Sequence, residues 1–261
     1  MFFEQIKQAL LENNPQEKIN QLIAYNAALN ADTVDLTPLS EIISIPVPGR
    51  PVKPELVHPS QVARRKLTTE KGRIALIHAV CHIEFNAINL ALDAVYRFQN
   101  MPEAFYIDWM RVATEEARHF NLLAERLAEL NTQYGDFDAH NGLWEMAVKT
   151  QHSLVERMAL VPRVLEARGL DVTPGMIERL KNAGDDKTVA ILEIILREEV
   201  GHVEIGTRWF RYACEQEHLN PENTFIDLLK KYNVSATKGP LHTDARKQAG
   251  FMDVELEALL K

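Results

Sequence analysis

Residues 68–97, TTEKGRIALIHAVCHIEFNAINLALDAVYR, decide the fold class of this chain. Apolar side chains recur there at intervals of three and four residues, as at Ile77, Cys81 and Ile88. This spacing is typical of an α-helix with one apolar face. Glu84 lies on that same face, where a carboxylate is costly to bury unless it has a partner. The stretch therefore predicts a long core helix that carries one functional acid.

Three further segments have helical spacing and similar length. They are residues 102–130, 142–168 and 186–212. Pro162 predicts a kink in the second of them, or an early end, because proline lacks a backbone N–H and clashes with the preceding turn. Gly169 is the expected C-cap of that helix, and residues 170–185 are interpreted as a connector that can contain a short helix after Pro174. Four long helices predict an all-α fold with a four-helix bundle over residues 68–218.

The two ends of the chain differ from this bundle. Residues 1–32 predict two short helices separated by Pro15, which is suited to a first helical turn. Six prolines between residues 38 and 59 forbid a continuous helix and favour extended chain. We therefore expect an N-terminal region over 1–67, made of helices and a proline-rich arm that packs on the bundle. The tail over 219–261 predicts short helices near 224–231 and 253–260.

Composition and charge exclude several classes of protein. The formal net charge is −8, from 29 basic and 37 acidic residues, so a nucleic-acid partner is not expected. The two cysteines are too few for a disulfide framework, and no glycine-rich dinucleotide motif occurs. No run of 18 uninterrupted apolar residues and no signal peptide are found. We therefore expect a cytoplasmic protein that does not span a membrane.

Glutamate and histidine occur three residues apart at four places. Chance produces such pairs, so their position along the chain decides their weight. One pair lies in the proline-rich arm and another at a predicted helix end. The other two lie in the middle of long helices, on faces that are otherwise apolar: Glu116 with His119, and Glu199 with His202. On a helix, this spacing puts both side chains on one face, one turn apart.

Two further acids are predicted to lie at the same height as these pairs. Glu84 and Glu116 are equally far from the turn at residue 100, and Glu156 and Glu199 flank the connector. Di-iron and di-manganese carboxylate bundles typically have one Glu on each of two helices and a Glu-x-x-His pair on each of the other two. Four carboxylates also balance the charge of two divalent ions. Oxygen and nitrogen ligands without sulfur favour iron, with manganese as the alternative.

The chain resembles the ferritin-like superfamily in this ligand pattern. In finer features it is similar to an uncharacterised bacterial ferritin-like family. Those features are HIE at 82–84, EARHF at 116–120, residues 134–144, and EARGLDVTP at 166–174. The resemblance implies that Glu116 and Glu199 bridge two metal ions. Glu84 and His119 would complete one ion, and Glu156 and His202 the other.

The superfamily contains ferroxidases, peroxidases, manganese catalases and oxygen-activating hydroxylases, one of which modifies a tRNA base. The resemblance thus implies a di-iron oxidoreductase that uses O₂ or peroxide on a small organic substrate or a modified nucleoside. An electron-donor protein and a homodimer are further expectations. Two alternatives stay open: an iron-binding ferroxidase without an organic substrate, and a metal-free helical scaffold for protein contacts.

Two other residues are candidates for a role near the metals. His152 lies one turn before Glu156, where it could orient that ligand, line the cavity, or simply hydrogen-bond within the structure. Trp109 lies two turns before Glu116 and is either a redox-active neighbour of the metals or a core residue.

Overall fold

The structure, a computed structural model, describes residues 1–37, 39–63, 65–234 and 239–261. Regular structure in these ranges is helical, and they contain no β-strand beyond one isolated bridge between Leu56 and Ala139. The predicted all-α class is confirmed. Pro38, one of the six prolines of the predicted arm, lies outside the described residues.

Most helices of the described chain are joined by short connections, but residues 31–69 separate the second helix from the third. They are α1 (Phe2–Leu11), α2 (Pro15–Asn30), α3 (Glu70–Arg97), α4 (Glu103–Glu129), α5 (Gly142–Lys149), α6 (Leu154–Leu160), α7 (Arg168–Asn182), α8 (Asp186–Gln216), α9 (Pro221–Lys231), α10 (Thr243–Gln248) and α11 (Asp253–Leu259). A short 3₁₀ turn at Pro59–Gln61 lies in the arm, and a π-helix at Val161–Glu166 joins α6 to α7.

The helices group into two compact units. The first consists of residues 1–148 and 180–191, and the second of residues 149–179 and 192–261. The predicted division at residues 67 and 218 stays a prediction.

The first unit is built on the antiparallel hairpin of α3 and α4, against which α1 and α2 pack. Thr69 caps α3 by accepting a hydrogen bond from the Gly72 N–H, and Asn100 takes a left-handed conformation in the turn that follows it. An 18-residue window of α3 is apolar and long enough to cross a membrane, but 72% of that window is buried inside the protein. Its burial is that of a core helix. The predicted cytoplasmic location stays a prediction.

The N-terminal helices begin as expected from their sequence. Asn14 caps α2 with its side-chain oxygen, and Pro15 occupies the first turn. The buried Lys18 ammonium donates hydrogen bonds to the carbonyls of Ala9 and Leu10, at 2.7 and 2.8 Å. These carbonyls lie in the last turn of α1, where backbone acceptors lack helical partners. Lys18 therefore joins the two helices.

The proline-rich arm is extended and is part of the first unit, where it lies against the helices. Prolines cannot donate backbone hydrogen bonds, and side chains of the helices supply much of the bonding instead. The Tyr96 hydroxyl accepts from the Ile43 N–H and donates to the Glu41 carbonyl, both at 2.9 Å. The Trp144 indole N–H donates to the carbonyl of Ile45 at 3.2 Å. These residues are extended, and the packing of the arm on a four-helix bundle stays a prediction.

The predicted helix over 142–168 is wrong as a continuous element, although an interruption at Pro162 was expected. It is divided into α5, α6 and the π-helix, because the Ser153 hydroxyl caps a new helix by accepting the Glu156 N–H. Gly169 does not end a helix, since α7 runs from Arg168 to Asn182 through most of the predicted connector. Glycine costs only about 1 kcal/mol inside a helix. Burial of apolar side chains such as Leu170 outweighs that cost.

The second unit holds the C-terminal helices, which the tail sequence predicted in part. The fully buried Arg163 guanidinium donates to Glu255 of α11 at 2.8 Å and lies over three phenylalanine rings: Phe210, Phe225 and Phe251. A second buried pair joins Arg246 of α10 to Asp171 of α7 at 2.7 Å. These ion pairs connect the end of the chain to α7 and the π-helix.

Candidate metal centre

Three predicted ligands meet in the first unit. Glu84 of α3 and Glu116 and His119 of α4 are 3%, 2% and 0% exposed. The His119 Nδ1 lies 3.1 Å from a Glu84 oxygen and 3.4 Å from a Glu116 oxygen. The three ligand atoms lie within 4.8 Å of one another. The hairpin thus brings Glu84 level with the Glu-x-x-His pair, at the same height along neighbouring helices, as its distance from the turn predicted.

The two carboxylates control the charge of the histidine. Burial by itself would lower the pKa of His119, but hydrogen bonds and charges from Glu116 and Glu84 outweigh burial and raise that pKa to about 11. A cation at this position is therefore strongly favoured.

The chemistry of the donors fits a metal ion. Two carboxylates and one imidazole, all buried and converging, can replace water around a divalent cation. The nearby Cys81 thiol contacts the Phe120 carbonyl at 3.8 Å, and burial raises its pKa well above the ordinary value. It is therefore a neutral thiol that packs beside the cluster. A donor set of oxygen and nitrogen suits iron or manganese better than a thiolate-bound metal.

A hydrogen-bonded aromatic group lies next to these ligands along α3. The Tyr134 hydroxyl donates to His82 Nδ1 at 2.9 Å, and His82 Nε2 donates to the His140 carbonyl at 3.1 Å. The Tyr134 ring packs on Phe85 and Phe120, each adjacent in sequence to a ligand. Burial lowers the pKa of His82 to about 4, so this histidine is neutral. The group holds the loop after α4 against the helix that carries Glu84.

The second Glu-x-x-His pair lies in the second unit, on α8. Glu199 is 9% exposed and His202 is 1% exposed. The His202 Nδ1 lies 3.6 Å from a Glu199 oxygen, so the two side chains share one face of the helix as predicted. A buried carboxylate and imidazole on neighbouring turns repeat the arrangement of Glu116 and His119.

Glu156 has different surroundings from those the sequence predicted. Its carboxylate accepts hydrogen bonds from the Lys231 ammonium at 2.7 Å and from the Tyr232 hydroxyl. The exposed His152 approaches the same carboxylate at 3.2 Å. Partial burial would raise the pKa of Glu156, but the hydrogen bonds from Lys231 and Tyr232 lower it. Within the described residues, neither Glu156 nor His202 joins a group of three metal-ligating side chains.

Sequence reasoning could not find these partners of Glu156. Lys231 and Tyr232 lie 75 and 76 residues further along the chain. The placement of Glu156 also depended on a connector over 170–185, which is mostly helix. The roles of Glu156 and His152 at a metal stay predictions.

Trp109 lies in the core of the first unit. It is 3% exposed and packs its ring edge-on against Phe105, with 6.3 Å between the ring centroids. Its indole N–H has no hydrogen-bond partner among the residues that the structure describes. Packing accounts for its position, and a redox role stays a prediction.

Comparison with known proteins gives a family without an assigned activity. A family model described as "Protein of unknown function (DUF455)" matches residues 11–257. A protein of Haemophilus influenzae named "Uncharacterized protein" is 48% identical over 267 residues, which cover 98% of this chain and 92% of the relative. No solved structure matches.

Proposed function

The chain belongs to the DUF455 family of proteins of unknown function, and from its own residues we propose that it is a di-metal carboxylate oxidoreductase of the ferritin-like kind. Iron is the proposed metal, and manganese is the alternative. The observation that carries the proposal is the buried group of Glu84, Glu116 and His119. Two carboxylates deep in an apolar core are costly unless a cation compensates their charge.

The proposed ligands come from both Glu-x-x-His pairs. Glu84, Glu116 and His119 would hold one ion, and Glu199 and His202 would contribute to a second. Glu156 is the candidate that the sequence offers for the remaining carboxylate. Bound iron or manganese would supply one-electron redox chemistry toward O₂ or peroxide, which protein side chains alone do not provide.

The chain's own residues would bind and shield the metals. The Glu84 and Glu116 carboxylates supply negative charge, and the helices on which they lie fix their separation. The rings of Phe85, Phe120 and Tyr134 pack beside the ligands and exclude water, which strengthens electrostatic interactions in the site. His82 holds Tyr134 in place through the 2.9 Å hydrogen bond.

The proposed reaction is the oxidation or hydroxylation of a small organic molecule or a modified nucleoside. An electron-donor protein would return the metals to the reduced state after each turnover. A homodimer is proposed as the assembly, because the arm and tail would hinder a storage shell. The net charge of −8 does not favour a nucleic-acid polymer as the substrate.

Metal analysis of the full chain tests the first step. After anaerobic incubation with Fe(II) or Mn(II) and removal of excess metal, we expect about two ions per chain. Glu116→Gln should lower this number, because it removes a charged ligand and keeps the side chain's shape. Glu129→Gln is the matched control, since Glu129 lies on the same helix and its side chain is 47% exposed.

Two results would contradict the proposal. Fewer than about one ion per wild-type chain would exclude a di-metal enzyme. Unchanged metal content in Glu116→Gln, together with higher thermal stability, would favour a metal-free helical scaffold instead. With both sites loaded with Fe(II), exposure to O₂ should develop visible absorption that the Glu116→Gln variant lacks, and its absence from the wild type would count against O₂ activation.

A further inference from the structure

The π-helix of the second unit packs tightly on α8, and the contact fixes how the two helices are aligned. A Cβ atom added to Gly206 would lie 2.4 Å from the Cβ of Pro162. The Arg163 Nε donates to the Thr207 hydroxyl at 3.2 Å. Residues 162 and 163 are therefore level with residues 206 and 207. Since only three residues join α7 to α8, the neighbouring helices run antiparallel.

This alignment predicts that an acidic residue lies beside His202, one helical turn away from the contact between Pro162 and Gly206. Glu166 lies four residues after Pro162, and His202 lies four residues before Gly206. A step of four residues returns to nearly the same face of an α-helix and falls just short of one turn of the wider π-helix. Glu166 is thus level with His202 and lies on the side of its helix that faces α8. Glu199 follows one turn further along the same face.

The same alignment moves Glu156 away from the histidine. Glu156 precedes Glu166 by ten residues, which is about 15 Å along a helix. It is level with the region of α8 near residue 212, well beyond His202. Its carboxylate is moreover held by Lys231 and Tyr232. Glu156 would have to leave both partners and still could not reach the histidine.

The local backbone at Glu166 is unusual. Glu166 closes the π-helix that begins at Val161, and the Ala167 N–H bonds to the Pro162 carbonyl across this widened turn. Wide π-turns within α-helices are rare, and they occur frequently at functional sites. Glu166 is half-buried, whereas Pro162 and Arg163, about one turn earlier, are buried.

We propose that Glu166, and not Glu156, is the lone carboxylate ligand of the second unit. This assignment rests on the proposed di-metal function. Each unit then carries the same arrangement: a glutamate on one helix lies level with a Glu-x-x-His pair on the next helix. In the first unit these residues are Glu84, Glu116 and His119. In the second they are Glu166, Glu199 and His202.

Metal binding by two matched variants of the full chain tests the assignment. Mn(II) is titrated anaerobically, and free Mn(II) is counted by its electron paramagnetic resonance signal. Glu166→Gln should weaken one of the two ions at least tenfold and leave the other in place. Glu156→Gln should bind both ions like the wild type. The reverse pattern, or two ions bound equally well by Glu166→Gln and wild type, would overturn the assignment.

A third variant and a measurement of folding make the metal titration interpretable. Glu166→Asp keeps the carboxylate but shortens its reach, so its Mn(II) affinity should fall between those of the wild type and Glu166→Gln if the residue is a ligand. Equal losses in Glu166→Asp and Glu166→Gln would count against ligation, and circular dichroism confirms that each variant is folded. A wild-type chain that binds no Mn(II) or Fe(II) overturns the proposed function and this assignment together. If the wild-type chain binds two ions, the proposed function stands and the variants alone decide whether Glu166 is a ligand.

Discussion

The pKa of a buried charged side chain in this protein depends on the atoms that face it. His119 is surrounded by two carboxylates, which raise its pKa to about 11 against the effect of burial. Lys18 is equally buried but faces only two backbone carbonyls, so burial lowers its pKa from 10.5 to about 7. The same desolvation therefore has opposite outcomes, because full negative charges compensate it and carbonyl dipoles do not.

Replacement of Lys18 by methionine should change how stability depends on pH. The lowered pKa means that the unfolded chain binds more protons than the folded one between about pH 7 and 10.5. In that window the free energy of unfolding of the wild type should rise with pH, by up to about 1.4 kcal/mol per pH unit. Below pH 7 this contribution should not change further. Lys18→Met should lack the rise.

Urea unfolding at pH 7, 8, 9 and 10 measures this difference directly. The difference between wild type and Lys18→Met cancels the titration of all other groups. Lys230→Met is the control, because Lys230 lies at the surface and pairs with Asp227. A difference that stays constant over the window would mean that the pKa of Lys18 is not lowered.

At the scale of helices, the sequence predicted which segments are helical more accurately than it predicted where each helix begins and ends. Regions with a single strong apolar face, such as α3 and α4, have the predicted bounds to within two residues. The region 142–182 does not, because a serine cap, a proline and a glycine there allow several divisions. Which division forms depends on contacts with other helices, such as Pro162 against Gly206. The prediction that Glu156 is level with Glu199 relied on a helix that ends at Gly169.

Two glycines of α8 should respond oppositely to alanine. Gly206→Ala places a Cβ within 2.4 Å of the Pro162 ring and should lower the free energy of unfolding by about 1–3 kcal/mol. Gly201→Ala meets no atom within 4 Å and should raise it by up to about 1 kcal/mol through better helix propensity. Urea unfolding of both variants measures the contrast. Equal stability of the two variants would contradict the tight helix contact and the alignment derived from it.

At the scale of the whole molecule, the C-terminal end of the chain contributes more to the buried core than its sequence indicated. The C-terminal helices contain exposed, charged segments, yet they supply Glu255 to the buried Arg163. A guanidinium that loses its water needs a charged partner, and here it also has aromatic rings above and beside it. The tail is therefore part of the core of the second unit.

Breaking that ion pair should destabilise the protein strongly. Arg163→Met leaves the Glu255 carboxylate buried without its cation and should cost about 3–5 kcal/mol. The double variant Arg163→Met with Glu255→Leu should recover most of this loss, because neither charge remains buried. Urea unfolding compares the single and double variants. A single variant as stable as the wild type would show that the pair is not buried in solution.

Metal binding should be visible in the stability of the entire chain. If the ligands are assembled only in the folded protein, a Mn(II) concentration 100 times the dissociation constant should add about 2.7 kcal/mol per site to the free energy of unfolding. Glu116→Gln should lose much of this increase, and Glu129→Gln should retain it. Thermal unfolding with and without Mn(II), compared with an EDTA sample, measures the effect. An increase of equal size in Glu116→Gln would point to binding elsewhere.

The sequence by itself determined the helical class, the long α3–α4 hairpin and the level group of Glu84, Glu116 and His119. These depend on local periodicity and on equal distances from one short turn, which the order of residues specifies. Only the tertiary structure decided the course of residues 142–182, the partners of Glu156 and the surroundings of Arg163. Those features depend on contacts between residues 44 to 92 positions apart, where small differences in packing choose among several helix ends that local sequence permits about equally.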